Sequence, residues 1–265
     1  MLEKKEHIVL KIDNLSIGYE DKKSQNIVAS NIDITLKKAS LVTVLGKNGI
    51  GKSTFLRTIA KVQKSLKGSI TINNKELYKY SNSELATLLS LVLTERLPES
   101  QLTVFELVAL GRQPYTNWLD KLSKTDIEKI NTAITQTEIE HLKYKRFYEL
   151  SDGQLQRVLI ARALAQDTDI IILDEPTAHL DIHHTIKIFK LLKHLTNQTS
   201  KTIILSSHEI NLSIQLADQV ILFNDNMVLS DTPTNLINEN AFDNLFPKEM
   251  VTFNKNLQQF IINKK

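Results

Sequence analysis

The rhythm of hydrophobic and polar positions changes along the chain. In the first third, β-branched residues alternate with polar ones in IVLKIDNLSIGY and IVASNIDITLK, the two-residue period of half-buried strands. SLVTVLG reads as a short buried strand. A helix is expected from Lys52 to Val62, then a strand at GSITIN, then a helix running into a strand over SELATLLSLVL. From about residue 103 to 165 the pattern turns helical. TVFELVALGR carries a Thr cap, and SKTDIEKINTAITQTEI is amphipathic with an acidic first turn. Strand–helix alternation then returns: DIIILDEP, a helix over residues 181–195, KTIILSSH, a helix at INLSIQLA, and QVILFND. Such alternation predicts a parallel sheet with crossover helices. Residues 233–265 are expected to form short helices and an edge strand.

The expected fold is therefore α/β: a parallel-sheet core over about residues 1–94 and 166–232, with an N-terminal antiparallel β subdomain. A helical insertion over about 95–165 and a C-terminal extension over about 233–265 complete it. With 265 residues, this is read as one large domain with a sizeable core. A net charge of +3 and scattered lysines ask for no nucleic-acid partner. The absence of cysteine excludes disulfides and thiolate metal sites and fits a cytosolic protein. The first residues have charge but no apolar signal-peptide run, and no stretch approaches the roughly 18 apolar residues that span a bilayer. Work at a membrane would require docking on something embedded there.

Glycine is scarce, and three of the seven glycines, Gly46, Gly49 and Gly51, fall within GKNGIGKST. That stretch fits G-x-x-x-x-G-K-[ST] between a strand and a helix, the context in which backbone N–H groups wrap a polyphosphate. Gly46, Lys47, Asn48, Gly49, Ile50, Gly51, Lys52, Ser53 and Thr54 are the candidate cradle. Lys52 brings positive charge to the β- and γ-phosphates, and the Ser53 hydroxyl is suited to Mg²⁺. The apolar run Ile170 to Leu173 ends in Asp174 and Glu175. Acids at a strand's C-terminal end in an α/β fold face the ligand crevice. Asp174 is read as holding Mg²⁺, Glu175 as polarising an attacking water. LSDGQ, with Ser151, Asp152, Gly153 and Gln154, opens another helix and forms a second anion-seeking end, although Asp152 is itself an anion. His208 closes the strand in TIILSSHE. A lone histidine is more often structural, but this one ends the strand after the acidic one, within reach of a γ-phosphate.

These four motifs in this order resemble the nucleotide-binding subunit of ATP-binding cassette (ABC) transporters over roughly residues 8 to 230. The resemblance implies ATP and Mg²⁺ as ligands and Glu175, His208 and Lys52 as catalytic residues. It implies adenine stacking on Tyr19, and Ser151, Gly153 and Gln154 acting on the ATP of a second copy packed head to tail. Ala178, Leu180 and Asp181 fit the family's D-loop, with His179 a variant position. The glutamine that usually touches Mg²⁺ is replaced: its position falls on Thr94, with Glu95 beside it, and Gln101 lies too far along. The stretches LTVFELVALGRQPY and LSDGQLQRVLIARALAQDTDIIILDEPTAHLD look like the importer group for iron siderophores, haem and vitamin B12, with iron chelates ranked first. Implied partners are a second copy, integral membrane permease subunits docking along residues 94–115 with Trp118 as a contact, and indirectly an extracytoplasmic binding protein. The implied location is peripheral, at the cytoplasmic face of the inner membrane. Asp152 stands where many cassettes have glycine, and its expected role is to cap the helix. A soluble, non-transport ATPase of the same family is the competing reading; the single cassette and the absence of a heptad run argue against it.

Overall fold

The computed structural model describes residues 7–21, 24–93, 101–116, 121–225, 227–243, 245 and 251–263. In chain order, two long strands, β1 (Ile8–Asp21) and β2 (Ser24–Lys37), precede β3 (Leu41–Leu45), α1 (Lys52–Ile59), β4 (Lys67–Ile72) and β5 (Lys75–Glu76). Next come α2 (Asn82–Ala86), β6 (Leu89–Val92), α3 (Val104–Ala109), α4 (Lys124–Gln136), α5 (Asp152–Ala165), β7 (Ile170–Leu173) and α6 (Ile182–Thr199). The chain continues with β8 (Thr202–Ser206), α7 (Ile210–Leu216), β9 (Gln219–Asn224), β10 (Met227–Asp231), α8 (Pro233–Asn238), β11 (Val251–Asn254) and β12 (Gln259–Ile262). Two compact units result: residues 1–80 with 202–265, and residues 81–201.

In the first unit the alternating β1 pairs antiparallel with both β2 and β4. Register shifts interrupt the β1 ladder near Asn14, whose φ is 47° and whose N–H donates to the Asp33 carboxylate at 2.8 Å. A bulge of this kind lets both sides of a strand bury residues, and Leu15, Ser16 and Ile17 are buried in succession. The fully buried β3 sits between β8 and β9, parallel to both, and β10 adds antiparallel to β9. Phe55 of α1 meets Phe223 of β9 edge-on, ring centroids 5.5 Å apart. Contrary to the expected single edge strand, the C-terminal segment pairs β11 with β12 in a sheet of their own. Phe253 explains this: it stacks on Phe242 at 5.2 Å and meets Phe260 at 5.1 Å, so a hairpin buries aromatic area that a lone edge strand would leave wet.

In the second unit β6 and β7 run parallel, and α3, α4 and α5 pack together beside them. Thr103, Ser123 and Ser151 each cap a helix through a reciprocal bond with the residue three positions on. Arg112 ties the group: its Nε donates to Asp126 at 2.8 Å and its Nη1 to the Ala165 carbonyl at 2.7 Å, with both charged side chains only 6% exposed. Cutting one partner from such a buried pair costs about 3–5 kcal/mol.

Candidate functional site

The phosphate loop begins where β3 ends. Gly46 has φ 151°, and an added Cβ would meet Phe223 at 2.9 Å; Gly51 has φ 114°, and its Cβ would meet Val28 at 2.3 Å. The curl therefore needs glycine on both steric and backbone grounds. Lys52 is 5% exposed, and its Nζ donates to the carbonyls of Gly46 and Lys47 at 3.0 and 3.1 Å. Those bonds place a positive charge inside the loop. Lys47 forms an exposed ion pair with Asp225 at 3.0 Å, while Asn48 and Gly49 are exposed at the tip and Ile50 closes a turn to Lys47. Ser53 and Thr54 lie in the first turn of α1. Gly51 gives α1 no side-chain cap, and its first turn carries no acid. A helix start with no side-chain cap and no acid is the kind of end that attracts an anion.

The strand register places a second element at this edge. Val44 pairs with Ser206, and the N–H of Ser207 donates to the Val44 carbonyl at 3.1 Å, so β3 and β8 deliver the phosphate loop and His208 side by side. His208 is exposed and leads into α7, another helix whose start lacks a side-chain cap bond. Tyr19, near the end of β1, is 55% exposed, and its hydroxyl lies 3.1 Å from Thr54 Oγ1. An aromatic face open to stacking is thereby anchored at the start of α1.

In the second unit, the N–H of Asp174 extends the β6–β7 ladder to the Val92 carbonyl at 2.9 Å, and Asp174 is 4% exposed. Glu175 turns sharply, with φ 48° although it is not glycine and Pro176 follows. A left-handed residue of this kind costs about 1–3 kcal/mol unless the surroundings over-determine it. Here the Glu175 carbonyl accepts the Ala178 N–H at 3.1 Å. His179 is also left-handed, and Leu180 donates its N–H to Thr177. Asp181 caps α6: its carboxylate accepts the His184 N–H at 2.8 Å and lies 2.9 Å from His184 Nδ1. The backbone N–H first, and then the ring, hold the Asp181 carboxyl below the usual range.

The LSDGQ helix end corrects one expectation. Ser151, not Asp152, is the cap: its backbone is extended (φ −69°, ψ 160°), and its hydroxyl accepts the Gln154 N–H at 3.4 Å. Gln154 Oε1 accepts the Ser151 N–H in return at 3.1 Å. Asp152 is the first helical residue, exposed, where its charge complements the helix dipole rather than accepting a cap bond. The reciprocal cap uses the acceptors of Ser151 and Gln154. What remains for a ligand is donors, a hydroxyl and an amide NH₂. Gly153 is buried, and a Cβ there would meet His184 Cδ2 at 2.8 Å. His184 was not singled out from sequence; only the D-x-x-H spacing at the start of α6 hinted at it. Thr94, Glu95 and Trp118 lie outside the described residues. Within the expected docking stretch 94–115, Leu107 and Val108 are buried core, while Leu110 and Tyr115 are exposed.

The sequence model described as "ABC transporter" matches residues 29–178. The chain is 37% identical over 235 residues to the achromobactin transport ATP-binding protein CbrD of Dickeya dadantii, covering 88% of this chain and 85% of that one. It is 33% identical over 224 residues to the iron(3+)-hydroxamate import ATP-binding protein FhuC of Bacillus subtilis, covering 84% and 81%. Among solved structures, a dimeric ATP-binding cassette bound to ADP and Pi superposes with a TM-score of 0.71 at 28% identity, covering 84% of this chain and 98% of that one. The chain belongs to the ABC transporter family, and its fold is that of the family's ATPase cassettes. It is accordingly an ATP-binding ATPase of that class.

Proposed function

We propose that this chain is the ATP-hydrolysing subunit of an importer for iron chelates, with ferric siderophores as the cargo class. The observation that carries the hydrolytic part is the phosphate loop, where a buried lysine sits inside a glycine curl behind an uncapped helix start. The relatives named for achromobactin and iron(3+)-hydroxamate support the cargo class. The proposed organisation is a core of about residues 1–94 and 166–232, a helical insertion of about 95–165 and a C-terminal extension of about 233–265.

Lys52 and the N–H groups of residues 46–54 hold the β- and γ-phosphates, and Tyr19 stacks on adenine. Ser53 and Asp174 are the residues that would hold Mg²⁺, which when bound neutralises charge on the phosphate oxygens. Glu175 accepts a hydrogen bond from the attacking water and turns its lone pair toward the γ-phosphorus; His208 bonds the γ-phosphate. The products are ADP and phosphate. Ser151, Gly153 and Gln154 of a second copy donate to the same γ-phosphate, so bound ATP favours the closed head-to-tail dimer. Among the described residues no helix is long and apolar enough to cross a membrane, so transport would need integral permease subunits, with an extracytoplasmic binding protein delivering the chelate. The proposed place of action is peripheral, at the cytoplasmic membrane face.

Replacing Glu175 by Gln tests the hydrolytic reading. Turnover should fall about 10²–10⁴-fold, the scale of losing a positioned base, while ATP holds a dimer visible by size-exclusion chromatography. A chain that stays monomeric with ATP under those conditions would refute the head-to-tail site. Co-purification with membrane proteins, followed by uptake assays with ferric siderophores, tests the cargo.

A further inference from the structure

A cavity of about 620 Å³ lies within the second unit, and three of its four charged wall residues are basic: Arg157, Lys187 and Lys190 against Glu138. The exposed face of α6 contributes His184, Lys187, Lys190 and His194. At 1.5 Å per residue, those four positions form a row about 15 Å long. The opposite wall is the turn after α4, with His141, and the first turns of α5, with Gly153, Gln154 and Arg157. Among the described residues, Glu138 is the one carboxylate of the lining, and it is already neutralised: Arg157 Nη1 donates to it at 2.8 Å and to the Thr137 carbonyl at 3.1 Å. Lys187 and Lys190 have no salt-bridge partner among the described residues.

Two lysines three positions apart on one helix face repel each other slightly and gain nothing from each other. Facing a concave space, the two lysines create a positive potential that concentrates anions, and three histidines set ring nitrogens beside them. Ile139, Leu142 and Leu191 supply the apolar part of the lining, and among the described residues its only aromatic rings are the three imidazoles. The length of this row of polar groups, with two fixed cations at its middle, fits several phosphates in line better than a single anion. We propose that this cavity binds a linear polyphosphate-type anion carrying three or more phosphates. Bound there, the anion rests against Gly153 and Gln154, and so bears on the start of α5 through the close Gly153–His184 contact.

Inorganic tripolyphosphate is the probe, titrated calorimetrically into the full-length Lys52→Ala chain. That background disables the phosphate loop, so the outcome is separable from the hydrolytic reading. Saturable one-to-one binding is expected at low salt, weakening as salt rises. Adding Lys187→Glu with Lys190→Glu should weaken it about tenfold or more, since two attractive charges become repulsive. Lys187→Gln with Lys190→Gln should weaken it severalfold, and this pair decides the matter if the Glu pair fails to melt cooperatively. Inorganic phosphate should bind at least about tenfold more weakly than tripolyphosphate. The proposal is overturned by no saturable binding to Lys52→Ala, by affinity unchanged in the Gln pair, or by phosphate binding as well as tripolyphosphate.

Discussion

Two helix starts in this protein point at anions, and they are built in opposite ways. At α1 the cap is a left-handed glycine, no side chain closes the N–H groups, no acid stands in the first turn, and a buried lysine lies within the loop. At α5 the N–H groups are served by Ser151 and Gln154, an acid occupies the first helical position, and the end is mostly exposed. The first has no side-chain cap, and there the proposed polyphosphate would sit. The second is complete alone and offers only two spare side-chain donors. That difference matches the proposed division of labour. A site that retains its ligand needs unsatisfied backbone and fixed positive charge; one that touches another chain's ligand transiently must stay stable without it.

Lys52→Ala should show the larger effect. Hydrogen bonds to charged groups are worth about 1.5–3 kcal/mol, so ATP affinity should drop by one to two orders of magnitude, as read by equilibrium nucleotide titration. Unchanged affinity would mean that α1 is not the retaining end, and the contrast would collapse.

The two glycines sharpen it further. Gly153→Ala places a Cβ 2.8 Å from His184 Cδ2, so the half-exposed ring must swing aside and give up its bond to Asp181, at about 0.5–1.5 kcal/mol and about tenfold in hydrolysis. His184→Ala should not merely relieve this but invert it. With the ring gone, alanine at a helical position is favoured over glycine by up to about 1 kcal/mol. Gly51→Ala should have no such rescue: trimming Val28 removes the 2.3 Å clash but leaves φ at 114°. A double-mutant cycle followed by thermal unfolding distinguishes the two. If Val28→Ala rescues Gly51→Ala fully, the loop's glycine requirement is steric only.

The phosphate loop, the acidic strand and the Thr103 cap were legible because each is a local rule. A curl, a buried apolar run and a cap followed three positions later by an acid each need particular residues at fixed spacing. What failed to show has nonlocal causes. In SDGQ three adjacent residues can cap, and the choice fell to Ser151 because its backbone is the last extended one and Gln154 sits at the reciprocating position. The wall that His184 forms against Gly153 arises from two helices meeting, which no period reveals. The left-handed turn at Glu175 runs against the preference of a residue before proline. The C-terminal hairpin depends on Phe253 finding Phe242, outside the hairpin itself.

The smallest effect concerns the acid that stands at the second end and is absent from the first. Asp152 makes no cap bond, so Asp152→Gly removes only its attraction to the helix N-terminus and adds some backbone freedom. An exposed charge there is worth about 0.3–1 kcal/mol, a melting shift of a few degrees for the unit that holds it. Ser151 and Gln154 keep their reciprocal cap and their donors, so steady-state ATP hydrolysis should stay within about twofold. Moderate salt should shrink the stability difference, because screening weakens an exposed charge and leaves the Ser151 cap untouched. A gain in dimer affinity for ATP would show that the carboxylate repels the partner's phosphates, making the second end not only self-sufficient but tuned to let go. A collapse of hydrolysis with unchanged melting would mean that the carboxylate itself contacts the nucleotide or the partner chain, and that the second end is not complete alone.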